Sequence, residues 1–159
     1  MTDYRGYHTA PIREEGNTLD DFSMIWPEDD FRDPRKGAQY YGHGGSEREL
    51  DVESARIISQ FLGKPDSVVK VYRSVPIDAD NKIHTGDWVS ISQKYATKHG
   101  ERHVEGNFKV LCATVKANEI ATDGNSIHEW GFSPIQERTL ECKVIGKVHS
   151  VKNDVSFDI

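Results

Sequence analysis

The side chains best suited to chemistry in this sequence are an arginine, a serine pair and a glutamate, each at the edge of a predicted strand. Arg73 ends the β-branched run VVKVYRSVP, where a guanidinium is costly unless it is paired or solvated. It is either an edge-strand arginine reaching water or an acidic neighbour, or a planar fork for phosphate or carboxylate. Ser90 and Ser92 stand two apart in GDWVSIS, so on a strand they share one face. Ser92 is also well placed to cap a helix, whereas Ser90 has no such local task and could hold a ribose hydroxyl or orient a carboxylate. Glu129 lies in DGNSIHEWG, flanked by Ile127, His128, Trp130 and Gly131. Alone it reads as a surface charge. With the other two groups it becomes a candidate to stabilise a sugar cation and grip its 2-hydroxyl.

The elements that must position these groups follow from periodicity and punctuation. Residues 1–45 show no sustained period and read as an irregular N-terminal arm, but Tyr4, Tyr7, Phe22, Trp26, Phe31, Tyr40 and Tyr41 are too many aromatics for a disordered tail and are expected to pack on the body. The pieces WPEDD and YYGHGG read as turns, the second flexible enough to line a cleft. Residues 46–159 then form the main domain. A helix opens with a capping box of Ser46 and Glu49, carries Leu50, Ile57, Ile58, Phe61 and Leu62 at helical spacing, and ends at Gly63 and Pro65. Strands are expected at Val68–Val75, Trp88–Ile91 and Phe108–Val115, the last covered on both faces, and in one or two pieces over Thr139–Val151. Asp78–Thr85 reads as a loop, and Ser92 caps a short helix, Gln93–His99, that Gly100 terminates. One helix followed mainly by strands argues for an α+β domain on antiparallel sheet.

Composition narrows the function classes. The chain has 159 residues, a net charge of -6 and 36% hydrophobic residues. It is long enough to bury a core, and it has no general attraction to a phosphate backbone. Its apolar runs are too short to span a bilayer, and the first residues contain no apolar signal region, so a cytoplasmic protein without membrane contact is expected. Cys112 and Cys142 sit in apolar runs and read as reduced, buried thiols. His99 and His103, with Glu101 and Glu105 nearby, have metal-like spacing, but a helix break at Gly100 would separate the imidazoles, so no metal is expected. His43 and His84 read as loop residues. No phosphate-cradling glycine loop, nucleophile elbow or Cys/His dyad is present.

The order of VYRSVP, WVSISQKYA, FKVLCATV and EWGFSP resembles the Arg-Ser-Glu class of mono-ADP-ribosyltransferases. More narrowly, it is similar to the small transferase-like domains of bacteriophage polyvalent and head-associated proteins. The resemblance covers about residues 40–150 and extends upstream through YYGHGG. It implies a split antiparallel β-sheet core with short flanking helices, and an enzyme that consumes NAD, transfers ADP-ribose to a host macromolecule and releases nicotinamide. On this resemblance Arg73 would grip the NAD phosphates, with Ser74 beside it. Ser90, with Ser92 nearby, would hold the nicotinamide ribose, and Glu129 would bind its 2-hydroxyl as nicotinamide leaves. Tyr95, Trp88 and Trp130 would stack on nicotinamide or wall the cleft, although each also reads as core packing. Glu137, Glu141 and Gln136 are the runner-up groups.

The sequence departs from the family at one position. Arginine-modifying members carry a second glutamate two residues before the catalytic one, and others a glutamine, where this chain has Ile127. The acceptor is therefore open to groups other than arginine, or to water, and a protein acceptor is favoured over nucleic acid by the acidic chain. His128 stands beside Glu129, though alternation on a strand would turn it to the opposite face. An NAD glycohydrolase and a non-catalytic phage protein-binding or inhibitor module are the alternative readings of the same fold.

Overall fold

A computed structural model of the protein, describing residues 10–149, is mixed α and β. Its helices are α1 (Pro34–Tyr41), α2 (Arg48–Phe61) and α3 (Gln93–His103). Its strands are β1 (Val68–Pro76), β2 (Lys82–His84), β3 (Trp88–Ser90), β4 (Phe108–Lys116), β5 (Ile120–Ala121), β6 (Glu129–Phe132), β7 (Thr139–Glu141) and β8 (Lys143–Val148). Six of them form an antiparallel sheet in the order β5-β6-β3-β1-β4-β8. The β-branched run that carries Arg73 thus becomes a central strand.

That strand is held unequally on its two sides. Along β4 it pairs from Val68↔Lys116 to Pro76↔Phe108, whereas its register with β3 is the pair Tyr72↔Ser90. Beyond that pair the Arg73 side chain bridges the strands, its Nη1 donating to the Trp88 carbonyl at 2.7 Å.

One face of the sheet is covered by α2 and by the chain that precedes it. Val69, Val71, Val89, Trp130 and Phe132 pack with Phe22, Trp26, Phe31, Ala55 and Ile58 in one buried cluster. Ring centroids of 5.2 Å for Phe22 and Phe31, and 6.3 Å for Trp26 and Trp130, give an edge-to-face aromatic core. The aromatics of the N-terminal segment therefore pack on the body, except Tyr40, which is exposed; Tyr4 and Tyr7 lie outside the described residues. This segment is not wholly irregular, because α1 forms within it. Asp33 caps that helix by accepting from the Arg35 N–H, and Pro34 occupies its first turn. Eight residues are too few for a visible period, so only these end signals marked it.

Three further expectations are corrected. The Ser46–Glu49 capping box does not form: Gly44 and Gly45 adopt positive φ, a single 3-10 turn follows, and α2 starts at Arg48 without a side-chain cap. Residues 78–85 are not all loop, because β2 pairs with β7 in a second, two-stranded sheet. The closing run forms two strands, β7 in the second sheet and β8 at the edge of the main one, and β8 ends at Val148; Val151 lies outside the described residues. β4 is covered on both faces only over Phe108–Leu111. Among the described residues no helix is long and apolar enough to cross a membrane. Cys112 and Cys142 are free and half-buried, and burial raises both thiols, Cys142 to about 11, which keeps them protonated and unreactive.

The correction that matters for the site concerns α3. Gly100 does not terminate it; the helix continues to His103, and Gly100 is where it touches the sheet. A Cβ there would lie 2.4 Å from Phe108 Cε2 and 2.8 Å from Ser74 Cβ. Glycine at this point serves close helix-to-strand approach. The Gly100→Ala protein is expected to lose about 1–3 kcal/mol of stability through overpacking, measured by urea unfolding; an unchanged midpoint would contradict this packing.

Candidate functional site

The sheet register brings together what the sequence separates. Ser90 pairs across the strands with Tyr72 on one side and with Glu129 on the other. Directly opposed residues of an antiparallel sheet point to one face, so Ser90 and Glu129 share it. Over this face lies α3, and between them opens a cavity of about 630 Å³. Arg73, Ser74, Trp88, Ser90, Tyr95 and Glu129 all line it, as does His99. This volume suits a small organic ligand.

Each of these side chains is fixed by neighbours. Arg73 is bound to the Trp88 carbonyl, and its Nε lies 3.9 Å from the Asp87 carboxylate, in a largely buried setting. Asp87 is in turn anchored by the His84 N–H at 2.9 Å. A guanidinium aimed in this way presents donors in a set direction. The buried Ser90 hydroxyl donates to the Ser92 carbonyl at 3.0 Å and accepts from the Ser92 N–H at 3.1 Å. One lone pair of Ser90 Oγ is left over by these two bonds, enough to accept a hydrogen bond from a ligand hydroxyl. Ser74 Oγ donates to the Ala96 carbonyl and ties β1 to α3.

Two expected members stand elsewhere. Ser92 is buried and caps α3, accepting from the Tyr95 N–H at 3.1 Å, so its hydroxyl is used in the backbone rather than in the cavity. Trp130 is fully buried in the aromatic core, with Nε1 donating to the Ile127 carbonyl, and walls nothing. Glu137 and Gln136 are exposed, and Glu141 pairs with Lys82 at 3.6 Å on the second sheet; none of the three lines the cavity. The YYGHGG segment does not line it either. Gly44 borders a separate depression, while His43 packs edge-on to His128 at 4.8 Å.

Behind the cavity lies a buried polar network that sequence reasoning missed. Tyr95 stacks on the His128 ring at 4.4 Å and 10°. His128 does face away from Glu129's side, and is held between Asp51 and Ser54 of α2, with Nε2 at 2.8 Å from Asp51 Oδ1 and Nδ1 at 2.7 Å from Ser54 Oγ. Burial lowers the His128 pKa, so the ring is neutral: Nε2–H donates to the carboxylate and Nδ1 accepts from the serine. Burial also opposes ionisation of Asp51, but the Gly44 and His43 backbone N–H groups and His128 outweigh it and hold its pKa below the ordinary value. The signal was an acid at a position of the α2 stripe shared with Ser54, Ala55 and Ile58. Tyr95 itself has its hydroxyl pKa raised by burial and by the nearby Glu129 carboxylate.

The mouth carries the imidazoles of α3. Since the helix runs through Gly100, Tyr95, His99 and His103 lie on one stripe, with ring centroids 6.1 Å and 4.4 Å apart in turn. His99 Nδ1 lies 3.7 Å from Glu129 Oε1. The helix break thought to separate the two histidines does not occur, but among the described residues no group of three or more metal-ligating side chains gathers around them. His84 is paired with Asp80 at 3.3 Å, away from the cavity.

Compared with protein-family models, with curated proteins and with solved structures, the chain matches none.

The buried imidazole gives a stability prediction. His128 has a folded pKa below its unfolded value of about 6.5, so in the window between the two the unfolded chain binds the proton and stability rises with pH. His99, also lowered, acts in the same direction. Urea midpoints are therefore expected to drop as pH falls below about 6.5, and the drop is expected to shrink in a His128→Gln protein, which keeps a donor for Asp51. An equally steep drop in that variant would contradict the neutral, buried imidazole.

Proposed function

We propose that this protein is an NAD-dependent mono-ADP-ribosyltransferase working through Arg73, Ser90 and Glu129. One observation carries the reading: these three side chains, distant in sequence, line a single cavity whose other walls include Tyr95 and Trp88. The motif order of the Arg-Ser-Glu class supports it, as does an antiparallel sheet in which β1 and β3 register at the pair Tyr72↔Ser90, next to Arg73.

In this reading the Arg73 fork takes the pyrophosphate of NAD, a task for a planar, permanently charged group with several donors. Ser74 stands beside it at the helix contact. Ser90 accepts from a hydroxyl of the nicotinamide ribose and keeps that sugar against Glu129, its cross-strand partner. The carboxylate binds the 2-hydroxyl and stabilises the positive charge that develops on the ribose as the bond to nicotinamide breaks. The electron pair of that bond leaves with nicotinamide, whose ring lies in the part of the cavity walled by Trp88 and Tyr95.

The acceptor is a host macromolecule, with protein favoured over nucleic acid because a net charge of -6 repels a phosphate backbone. Water is the second reading, favoured by Ile127, a fully buried residue at the position where arginine-modifying members of the Arg-Ser-Glu class carry the glutamate that activates their target.

Incubation with labelled NAD, with and without cell lysate, separates these outcomes. Label on a macromolecule identifies a transferase and free ADP-ribose a hydrolase, while no turnover overturns both in favour of a binding module. Glu129→Gln is expected to slow nicotinamide release by about 10²–10³-fold or more. Arg73→Lys is expected to weaken NAD binding by roughly tenfold, the scale of one bidentate contact. Wild-type rates in the Glu129→Gln protein would sink the proposal.

A further inference from the structure

Resting on that reading, we infer that His99 is the general base for the acceptor, and that the acceptor is a hydroxyl oxygen rather than a guanidinium. His99 lines the same cavity as Glu129, is half-exposed, and holds Nδ1 3.7 Å from the carboxylate. A proton kept on Nδ1, beside that charge, leaves the Nε2 lone pair to take another. Ile127 is fully buried, so no side chain two residues before Glu129 reaches the reacting carbon. The imidazole from α3 stands beside the carboxylate instead.

The charges around His99 set its form. Burial lowers its pKa, Glu129 on β6 pulls the other way, and His103 and Arg102 on α3 with Arg73 on β1 lower it further; Tyr95 stacks below. The ring is neutral near pH 7 and can accept a proton.

An imidazole of this kind discriminates between acceptors. A hydroxyl oxygen attacks with its own lone pair and sheds its proton only as the bond forms. A guanidinium keeps its charge and has no lone pair to offer, and a neutral imidazole supplies no opposite charge to pair with and orient it, as a carboxylate two residues before Glu129 would. The balanced step joins the acceptor oxygen to C1 of the nicotinamide ribose while the C–N bond breaks. The bond pair neutralises the leaving nicotinamide, and the hydroxyl proton passes to His99 and then to solvent. The products are an O-glycoside of ADP-ribose, or free ADP-ribose when water attacks, with nicotinamide and one proton.

The test follows nicotinamide release and products with NAD alone, with NAD and methanol, and with NAD and agmatine. Wild type is expected to form ADP-ribose, and with methanol its methyl glycoside, but no agmatine adduct, with a rate that falls below the imidazole pKa. Methyl glycoside marks a site that admits an organic hydroxyl, and ADP-ribose alone marks water as the source. His99→Gln is expected to lower the rate about 10²-fold, retain NAD affinity and circular dichroism, lose the acidic limb and recover in part with added imidazole. His99→Asn serves as a second variant. A His99→Gln protein with the wild-type rate and limb, beside an inactive Glu129→Gln protein, overturns this inference and leaves the transferase reading standing, as does preferential use of agmatine. A wild-type protein that neither binds nor consumes NAD overturns both.

Discussion

The register of the short strand β3 is the constraint on which the site depends. Its Ser90 sits opposite Tyr72 on β1 and opposite Glu129 on β6, so a slip of one residue would turn the serine and the acid to opposite faces. Three residues of strand cannot hold that register alone. It is held by the Arg73 bond to the Trp88 carbonyl, by the Phe132 N–H to the Asp87 carbonyl at 2.9 Å, and by the Ser90 hydroxyl closing on Ser92. The groups assigned to chemistry are thus also the groups that set the strand in place.

Around this register two layers do different work. The aromatic core formed by Phe22, Trp26, Phe31 and Trp130 fixes β6 from behind, and Gly131 allows the chain at Pro11 to pass within reach of the strand. On the other side α3 lies close to β1 and β4 because Gly100 has no side chain, which brings Tyr95 and His99 over the cavity. The buried set of His128, Asp51 and Ser54 links the two layers. A fully satisfied polar network of this sort specifies one arrangement, whereas its partial loss leaves buried groups unpaired.

Strand positions were legible in the sequence because β-branched runs and a period of two are local signals; β1, β3 and β4 fall where they were expected. Arg73, Ser90 and Glu129 were legible because each violates its local setting: a charge in an apolar run, a strand serine with no turn to serve, an acid among aromatics. Ser92 and Trp130 were less so, because a cap and a core ring carry the same residue types as a ligand contact. The continuation of α3 was hidden by Gly100, whose usual meaning as a helix stop was overridden by the close approach to Phe108 and Ser74. With it went the contact of His99 with His103, while the approach of His99 to Glu129 depends on where α3 lies over the sheet, which no local signal records. The α1 helix and the pairing of β2 with β7 escaped because eight residues, and three against three, leave no period to read.

A crystal structure of the Glu129→Gln protein with NAD is the most direct test of the central claim. The account places the pyrophosphate on the Arg73 guanidinium and the nicotinamide ribose between Ser90 and residue 129, beneath Tyr95. A dinucleotide found in the depression beside Gly44 and Arg48, or no dinucleotide at saturating concentration, would contradict it.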